Sequence, residues 1–315
     1  TVLGWRVAVV ESTHREDVTF TSGTDTIAAW WYPGGPGRRS CVVMAHGAGG
    51  TKRSGLAPFA ERFAADGHHV LVIDYRHFGD SGGQPRQLLD PYRQVDDILA
   101  ALQYARSRDD VEPERIALWG TSFGGGNVLV AAVRDQHVAA VISQGPALDG
   151  FTALTRSLTQ PGQTPANWAR TLGRVASDLT AAALRREPTY VPLVGPPGSA
   201  AVMTAADSEP GYRRIAGPDW VNAACARLAL TVPRYRPVSM AGRVPCPWLI
   251  QICQRDTVAP TSSAENAARR AGERATVRRY DIEHFAIYVD NGFEQAVTDQ
   301  TAFLGQHLTP APDLE

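Results

Sequence analysis

The sequence has no long hydrophobic run and no excess of charge of either sign, and each absence excludes a class of protein. Its longest apolar stretches, such as residues 41–45, are far shorter than the ~18 residues of a membrane-spanning helix. Its 31 basic and 32 acidic side chains give a net charge of -1, which excludes the basic face of a nucleic-acid-binding protein and a polybasic membrane patch. We therefore expect a soluble protein that acts on a small-molecule substrate and binds neither nucleic acid nor membrane.

Cysteine is also scarce, with four residues that form no CxxC pair and have no regular spacing: Cys41, Cys225, Cys246 and Cys253. Two of them lie in apolar, strand-like runs, where a free thiol packs as a small hydrophobic group. We expect four unpaired thiols and a reducing, cytoplasmic location. The stretch Val7–Val10 is too short for a secretory signal, although removal of a signal before Thr1 stays open.

Short β-branched runs alternate with helical patterns along most of the 315 residues. Strands that are apolar on both sides and separated by helices indicate an α/β fold with a mostly parallel sheet and helices on both faces. The turn-like residues 22–25 predict an antiparallel hairpin at its start. The predicted strands are Val18–Thr21, Ile27–Tyr32, Cys41–Ala45, His69–Asp74, Arg115–Trp119, Val138–Ser143, Trp248–Cys253 and Thr276–Tyr280. The predicted helices are Leu56–Asp66, Tyr92–Ser107, Phe123–Arg134, Ser262–Ala271 and Phe293–His307.

The segment from Ala147 to Met240 breaks this rhythm, because it holds 10 of the 22 prolines. It follows the sixth predicted strand and precedes the seventh, so the simplest account is an excursion that leaves the sheet and returns. We predict a core of residues 1–146 and 241–315 with a cap, or lid, of residues 147–240. The mixed apolar surface of such a cap also raises the expectation of a homodimer.

One predicted strand-to-helix turn, which we call the elbow, has the composition of a nucleophile site. In an open parallel sheet the ligand lies beyond the carboxyl ends of the strands. The strand at 115–119 is followed by Gly120-Thr121-Ser122-Phe123-Gly124 and a helix, which is the GxSxG pattern in the strand–turn–helix context that it requires. We predict Ser122 as a nucleophile, against the alternative of a glycine-rich turn that binds phosphate or nothing.

A serine hydroxyl needs a general base, and in this fold the order along the chain is serine, acid, histidine. His284 is the histidine past Ser122 that follows a predicted strand end, so we predict it as the base. The acid that orients it should leave a strand between the two. We predict Asp256, which follows residues 248–253, and keep Asp149 after the sixth strand as the competing acid.

The oxyanion of a tetrahedral intermediate needs two N–H donors, one after the nucleophile and one in the loop after the third strand. Phe123 supplies the first, and in loop 46–50 we assign Ala48 as the second, with Gly47 as the fallback. We expect His46 to brace this loop rather than to act as a base. No cluster of His, Asp or Glu has zinc-like spacing in the sequence, so we expect neither a metal nor an organic cofactor.

Together these motifs resemble the α/β-hydrolase superfamily over most of the chain outside the cap. The resemblance is carried by His46-Gly47, Asp74-Tyr75-Arg76 with Gly79-Asp80-Ser81-Gly82, the elbow at 120–124, Asp256 with Pro260, and His284. Within the superfamily, the chain is most similar to bacterial serine esterases of the dienelactone-hydrolase and peptidase-S15-like kind. Dienelactone hydrolases use a cysteine nucleophile, and haloalkane dehalogenases and epoxide hydrolases an aspartate, so Ser122 argues against these three activities.

The substrate-binding candidates are less firmly marked. His77 stands where superfamily members commonly have glycine after arginine, so we keep it as a candidate against the commoner case of a surface histidine. The cap offers apolar side chains for an acyl or ring pocket, although a cap also needs its own core. These are Phe151, Trp168, Tyr190 and Trp220, with Leu154, Met203 and Tyr212.

The motifs and the resemblance imply a Ser-His-Asp hydrolase that cleaves an ester, lactone or thioester through an acyl-enzyme. Ser122 attacks, His284 acts as base and then as acid, Asp256 orients it, and water completes the cycle. The same triad also serves acyl transfer and the cleavage of C–C or peptide bonds. A third alternative, a ligand-binding member of the fold without turnover, is disfavoured by the intact triad.

Overall fold

The computed structural model describes residues 15–159 and 162–308, so the stretch Val7–Val10 lies outside the described residues. The strands are β1 (Glu16–Ser22), β2 (Asp25–Tyr32), β3 (Arg39–Ala45), β4 (His69–Ile73), β5 (Val111–Thr121), β6 (Ala140–Gln144), β7 (Tyr190–Val191), β8 (Ala224–Cys225), β9 (Trp248–Cys253) and β10 (Ala275–Tyr280). The α-helices are α1 (Ala57–Ala65), α2 (Pro91–Arg106), α3 (Phe123–Asp135), α4 (Gly150–Leu158), α5 (Pro165–Ala183), α6 (Ser208–Ile215), α7 (Leu228–Thr231), α8 (Thr261–Ala271) and α9 (Asp290–Leu308).

A mostly parallel sheet carries the fold, with the strand order β1-β2-β4-β3-β5-β6-β9-β10. The entry strand β1 pairs antiparallel with β2, and β2 pairs antiparallel with β4. From β4 to β10 every pairing is parallel, so the carboxyl ends of these strands meet at one edge. The predicted hairpin, strands, helices and α/β architecture are confirmed.

Helices cover both faces of this sheet, which explains why its central strands are apolar throughout. Neighbouring residues of a strand point to opposite faces, so Val43 belongs to the core on the side of α2, α3 and α8, whereas Val42 belongs to the core on the side of α1 and α9. The same alternation separates Leu118 from Trp119 on β5. The helices bury both faces of the sheet. The polar residues that could take part in chemistry therefore lie at the ends of the strands.

Residues 147–240 leave the sheet after β6 and return before β9, and we call them the inserted segment. Its two ends lie side by side, because the Arg236 guanidinium donates to both carboxylate oxygens of Asp149 at 2.9 Å each. The main chain supports this closure, since the Gly150 N–H donates to the Tyr235 carbonyl at 3.0 Å. Between these ends α4, α5 and the short β7–β8 pair extend from the carboxyl edge of the sheet.

The four cysteines are free and buried, as predicted from their spacing. No helix within the two described ranges is both long enough and apolar enough to cross a membrane.

Candidate active site

Ser122 sits in a strained turn between β5 and α3. Its φ of 53° and ψ of -120° lie in a region that residues with a side chain rarely adopt. The turn is held because the Ser122 N–H donates to the Gln144 carbonyl at 2.8 Å and the Ala147 N–H donates to the Ser122 carbonyl at 2.9 Å. The elbow therefore places the hydroxyl beyond the carboxyl edge of the sheet.

The glycines of the elbow are required by close backbone approach. A Cβ on Gly120 would lie 2.3 Å from the Gly124 carbonyl oxygen, and a Cβ on Gly124 would lie 2.4 Å from the His46 carbonyl oxygen. Real Cβ atoms do not come that close to backbone atoms, so only glycine fits at either position.

Three strand ends bring Ser122, His284 and Asp256 into hydrogen-bond contact. His284 begins a 3-10 turn after β10, and its Nε2 lies 3.1 Å from Ser122 Oγ, while its Nδ1 lies 2.6 Å from Asp256 Oδ2. The other carboxylate oxygen of Asp256 accepts the N–H groups of Val258 and Ala259, both at 2.7 Å. An aspartate held in this way keeps the proton of the imidazole on Nδ1 and leaves Nε2 to accept from the serine.

Asp149, the competing acid, has other partners. It is the N-cap of α4, where it accepts from the Phe151 N–H at 3.1 Å, and it pairs with Arg236. Burial alone would raise the pKa of Asp149, but the guanidinium and the helix N–H groups hold it below its usual value. The described contacts place Asp256, and not Asp149, on the imidazole.

The loop 46–50 has a fixed peptide orientation. The Gly47 carbonyl accepts from the Gly50 N–H at 3.2 Å and lies 2.9 Å from His46 Nδ1. Because C=O and N–H point in opposite directions across a trans peptide, the Ala48 N–H is turned away from these partners. His46 Nε2 accepts from the Tyr75 N–H at 3.3 Å, and burial lowers the pKa of His46, so a neutral imidazole braces the loop as expected.

The inserted segment holds the same loop from the other side. The Tyr212 hydroxyl donates to the Ala48 carbonyl at 2.8 Å, and the Trp220 Nε1–H donates to the Gly49 carbonyl at 3.1 Å. The two rings stack with their centroids 4.6 Å apart. Trp220, which we predicted to bind substrate, therefore supports the loop from the side of the inserted segment. It lines none of the cavities described below.

A buried ion cluster anchors the far end of this loop. Lys52, the only lysine in the sequence, is 1% exposed and donates to Asp74 at 2.6 Å and to Asp80 at 2.5 Å. Arg53 continues the cluster, since it lies 2.8 Å from Asp80 and 3.4 Å from Asp219 of the inserted segment. The loops after β3 and β4 are thus tied to each other and to the segment above them.

Two cavities meet at Ser122. A small cavity of about 20 Å³ has the catalytic candidate His284 in its wall, and its other walls include Gly47, Tyr212, Phe285 and Tyr288. A second cavity of about 120 Å³, which we call the inner cavity, runs under the inserted segment from Ala48 and Phe123. Ser122, Ala48 and Met203 line both.

A third space, the outer cavity, extends the inner one into the inserted segment. It holds about 150 Å³ between α4, α5 and residues 199–204, and Trp168 is part of its wall. The two cavities share walls made by Ala153, Ser157 and Leu228. Trp168, predicted to bind substrate, thus lies in a cavity wall but away from Ser122.

Two further substrate-binding candidates lie away from the cavities at Ser122. Phe151 is 52% exposed on the outer side of α4, because Gly150, Ala153 and Leu154 take the inner side. Tyr190 lines a separate surface groove beside Asp80.

His77 is a third such candidate. Its side chain is 1% exposed, and its main chain closes the loop onto Gly82 and Gln87. A side chain enclosed in this way lines none of the cavities described above.

Sequence reasoning gave too little weight to two lining residues. Met203 is named above among the apolar side chains of the cap, but it lies in an irregular stretch where no periodicity sets it apart from the others. Arg156, whose guanidinium donates to the Asp256 carbonyl at 3.1 Å, lines the inner cavity. A signal existed for the helix that carries it, because residues 150, 153, 154 and 157 follow helical spacing and all line the outer cavity.

The family model described as serine aminopeptidase, S33, matches residues 36–285, which is most of the chain and includes the elbow, Asp256 and His284. The chain belongs to this family. The S33 match and the fold confirm the resemblance to α/β hydrolases and assign the chain to a serine-hydrolase-type family.

Several named proteins are similar to this chain. The quorum-quenching protein AidA of Acinetobacter baumannii is 41% identical over 291 residues, which are 91% of this chain and 93% of AidA. Thiohydrolase aneE of Aspergillus aculeatus is 27% identical over 272 residues, 84% of each chain. The solved structure of the α/β hydrolase GrgF from Penicillium has a TM-score of 0.81 at 25% identity, and the match covers 94% of this chain and 99% of GrgF. GrgF is also named a polyketide transferase.

Proposed function

We propose that this protein is a Ser-His-Asp hydrolase that cleaves a carboxylic ester, lactone or thioester through an acyl-enzyme on Ser122. The observation that carries the proposal is the pair of contacts on one imidazole, Nε2 at 3.1 Å from Ser122 Oγ and Nδ1 at 2.6 Å from Asp256. Each nitrogen has the partner that general-base catalysis requires.

In the first half of the reaction, Ser122 Oγ attacks the carbonyl carbon while its proton passes to His284 Nε2. The tetrahedral intermediate then collapses, the bond to the leaving group breaks, and His284 returns the proton to that group. Water repeats these steps on the acyl-enzyme and releases the carboxylic acid. Asp256 stays ionised and stabilises the imidazolium that forms in each half.

The oxyanion is placed between two N–H groups in this proposal. Phe123 is the first residue of α3, where N–H groups have no partner within the helix and the helix dipole favours negative charge. Ala48 supplies the other N–H, which the fixed Gly47 carbonyl turns away from the loop interior. Removal of one such donor costs about 100- to 1000-fold in kcat in a well-studied case.

Residues 147–240 act as the cap in this proposal and set the substrate class. Their walls over Ser122 are largely apolar, which suits a small or medium-sized apolar substrate. AidA is named a quorum-quenching protein and aneE a thiohydrolase, and both names are compatible with an ester-like substrate. Four buried free thiols support a cytoplasmic location, which fractionation of cells would test.

Acyl transfer is the second candidate, because it starts from the same acyl-enzyme and GrgF is named a polyketide transferase. Addition of an alcohol during turnover distinguishes the two. Hydrolysis predicts that the acid remains the main product, whereas transfer predicts a new ester that grows with the alcohol concentration.

A fluorophosphonate probe tests the nucleophile without knowledge of the substrate. We expect one covalent adduct by intact mass, none in Ser122→Ala, and an unchanged adduct in Ser107→Ala, which removes an exposed serine. Hydrolysis of 4-nitrophenyl acetate should follow the same order. An adduct that persists in Ser122→Ala, or an unlabelled wild type, would reject the proposal.

A further inference from the structure

The inner cavity starts at the nucleophile and adjoins the outer cavity through shared walls, and we call the two together the tunnel. Ala153, Ser157, Val202, Thr204, Leu228 and Val232 belong to the walls of both. Arg156 lines the inner cavity only, whereas the outer cavity is lined mainly by alanine, leucine, valine and the Trp168 ring, with Gln163, Thr171 and Ser199 between them. Such a tunnel suits an unbranched hydrocarbon chain with its reactive end at Ser122.

The two sides of Ser122 differ in a way that gives the direction of the substrate. A leaving group must take its proton from His284, and His284 lines the small cavity but not the inner one. Phe123, a proposed oxyanion donor, lines the inner cavity but not the small one. The acyl part therefore extends into the tunnel and the leaving group lies on the His284 side.

The volumes of the inner and outer cavities set the length of the acyl chain that they can hold. A group of about the size of a water molecule occupies about 30 Å³ when packed at liquid density, so the two cavities, at about 120 and 150 Å³, hold roughly four to five groups each. A short acyl group fills only part of the inner cavity. A chain that extends past Ala153 also fills the outer one.

We infer that the site takes medium- to long-chain acyl groups, whose tail passes Ala153 into the outer cavity between α4 and α5. The inference rests on the proposed hydrolase function and names its acyl substrate class. It makes Ala153 and Ala229 residues that determine chain length, because Ala153 stands between the cavities and Ala229 lines the outer one alone.

Two matched ester series test the inference. In the first, methyl esters of acids from acetate to dodecanoate vary the acyl chain, and in the second, acetates of alcohols from methanol to dodecanol vary the leaving group. Each added methylene that enters the tunnel should raise kcat/KM by up to roughly fourfold. We expect this rise in the acyl series alone. A flat acyl series, or a rise in the alcohol series, would overturn the inference.

Three variants locate the tail. Ala153→Phe should remove the gain beyond chains of intermediate length and lower kcat/KM for dodecanoate more than for acetate, whereas Ala229→Phe should remove only the gain of the longest chains. Thr155→Phe, on the exposed side of the same helix, is the control and should keep the wild-type profile. Equal losses for acetate and dodecanoate in both alanine variants would contradict the inference.

Binding separates failure of the inference from failure of the proposed function. Calorimetry with Ser122→Ala should show that dodecanoate binds at least tenfold more tightly than hexanoate, and that Ala153→Phe in the same background abolishes the difference. This result would support the tunnel even if wild type hydrolysed no ester. Equal affinities would reject the tunnel even if the fluorophosphonate adduct on Ser122 forms.

Discussion

The Tyr212 hydroxyl donates a hydrogen bond to the Ala48 carbonyl, 2.8 Å away, and so joins the inserted segment to the loop that carries a proposed oxyanion donor. The same peptide loop is braced below by His46 and above by Trp220. The orientation of Ala48 therefore depends on residues from both parts of the chain.

Tyr212→Phe should lower kcat by roughly fivefold with little change in KM, because it removes one positioning hydrogen bond of about 1 kcal/mol and leaves the ring in place. Tyr190→Phe, on the surface groove, is the control and should match wild type. Steady-state kinetics with a short ester measures both. An unchanged kcat in Tyr212→Phe would show that the loop keeps its orientation without this bond.

Asp256→Asn should lower kcat by about ten-thousandfold, because an amide favours the wrong tautomer of His284. Asp149→Asn should keep near-wild-type kcat and lose less than about 1 kcal/mol of stability, since asparagine still caps α4 and Arg236 is half exposed. Kinetics and urea unfolding of both variants measure these effects. The reverse order of activities would assign the acid to Asp149.

Gly120→Ala should prevent folding or cost on the order of 4 kcal/mol, because its Cβ would lie 2.3 Å from a backbone oxygen. Gly173→Ala is the matched change in open space on α5, where nothing lies within 4 Å of the new Cβ. It should raise the free energy of unfolding by about 0.5–1 kcal/mol. Urea unfolding measures both, and similar effects at the two sites would contradict the steric explanation.

Three buried glutamines connect the strands below the triad, and their loss should be costly. The Gln300 amide donates to Gln144 at 2.8 Å and to Gln251 at 2.6 Å, and its carbonyl accepts from the Trp119 indole N–H. Gln300→Leu leaves these partners unpaired and should lower the free energy of unfolding by about 2–4 kcal/mol. Gln295→Leu, on the exposed side of α9, should change it by less than about 0.5 kcal/mol in the same assay.

We expect acid to destabilise the protein at a higher pH than protonation of its carboxylates alone would. Burial lowers the pKa of several histidines, of which His46 is the most deeply enclosed: His46, His68, His69, His77 and His307. Below about pH 6.5 the unfolded chain therefore binds more protons than the folded one, and stability falls as the pH falls.

Urea unfolding at about pH 7.5 and about pH 5.5 measures this loss, which approaches ~1.4 kcal/mol per pH unit for each such histidine. His46→Asn is less stable at the higher pH but should show a shallower dependence on pH, because one titrating group is gone. A wild-type stability that stays constant over this range would contradict the prediction.

The sheet and the triad could be predicted because their signals are local. Apolar strands separated by helices define the sheet, and Ser122, Asp256 and His284 each follow a strand end. Beyond the helical spacing of α4, the inserted segment gives no such signal, because its residues contact partners far away in the sequence. The Trp220 indole hydrogen-bonds to Gly49 and the Tyr212 hydroxyl to Ala48. No periodic pattern in the sequence predicts either contact.

Aromatic character alone also misled the pocket prediction. Phe151 and Leu154 are both apolar and lie on the same helix, but only Leu154 faces the outer cavity. Helical spacing from Gly150 separates them, whereas residue type does not. His77 shows a further limit, because a loop residue with a positive φ of 71° folds its side chain into the loop itself.

The enclosure of Lys52 has a practical consequence. With no other lysine in the sequence, amine-directed dyes, cross-linkers and resins find no lysine amine on the surface of the folded chain. Modification of Lys52 then requires the loop after β3 to open and release Asp74. The rate at which such a reagent modifies Lys52 therefore measures the rate at which the loop that frames Ser122 opens.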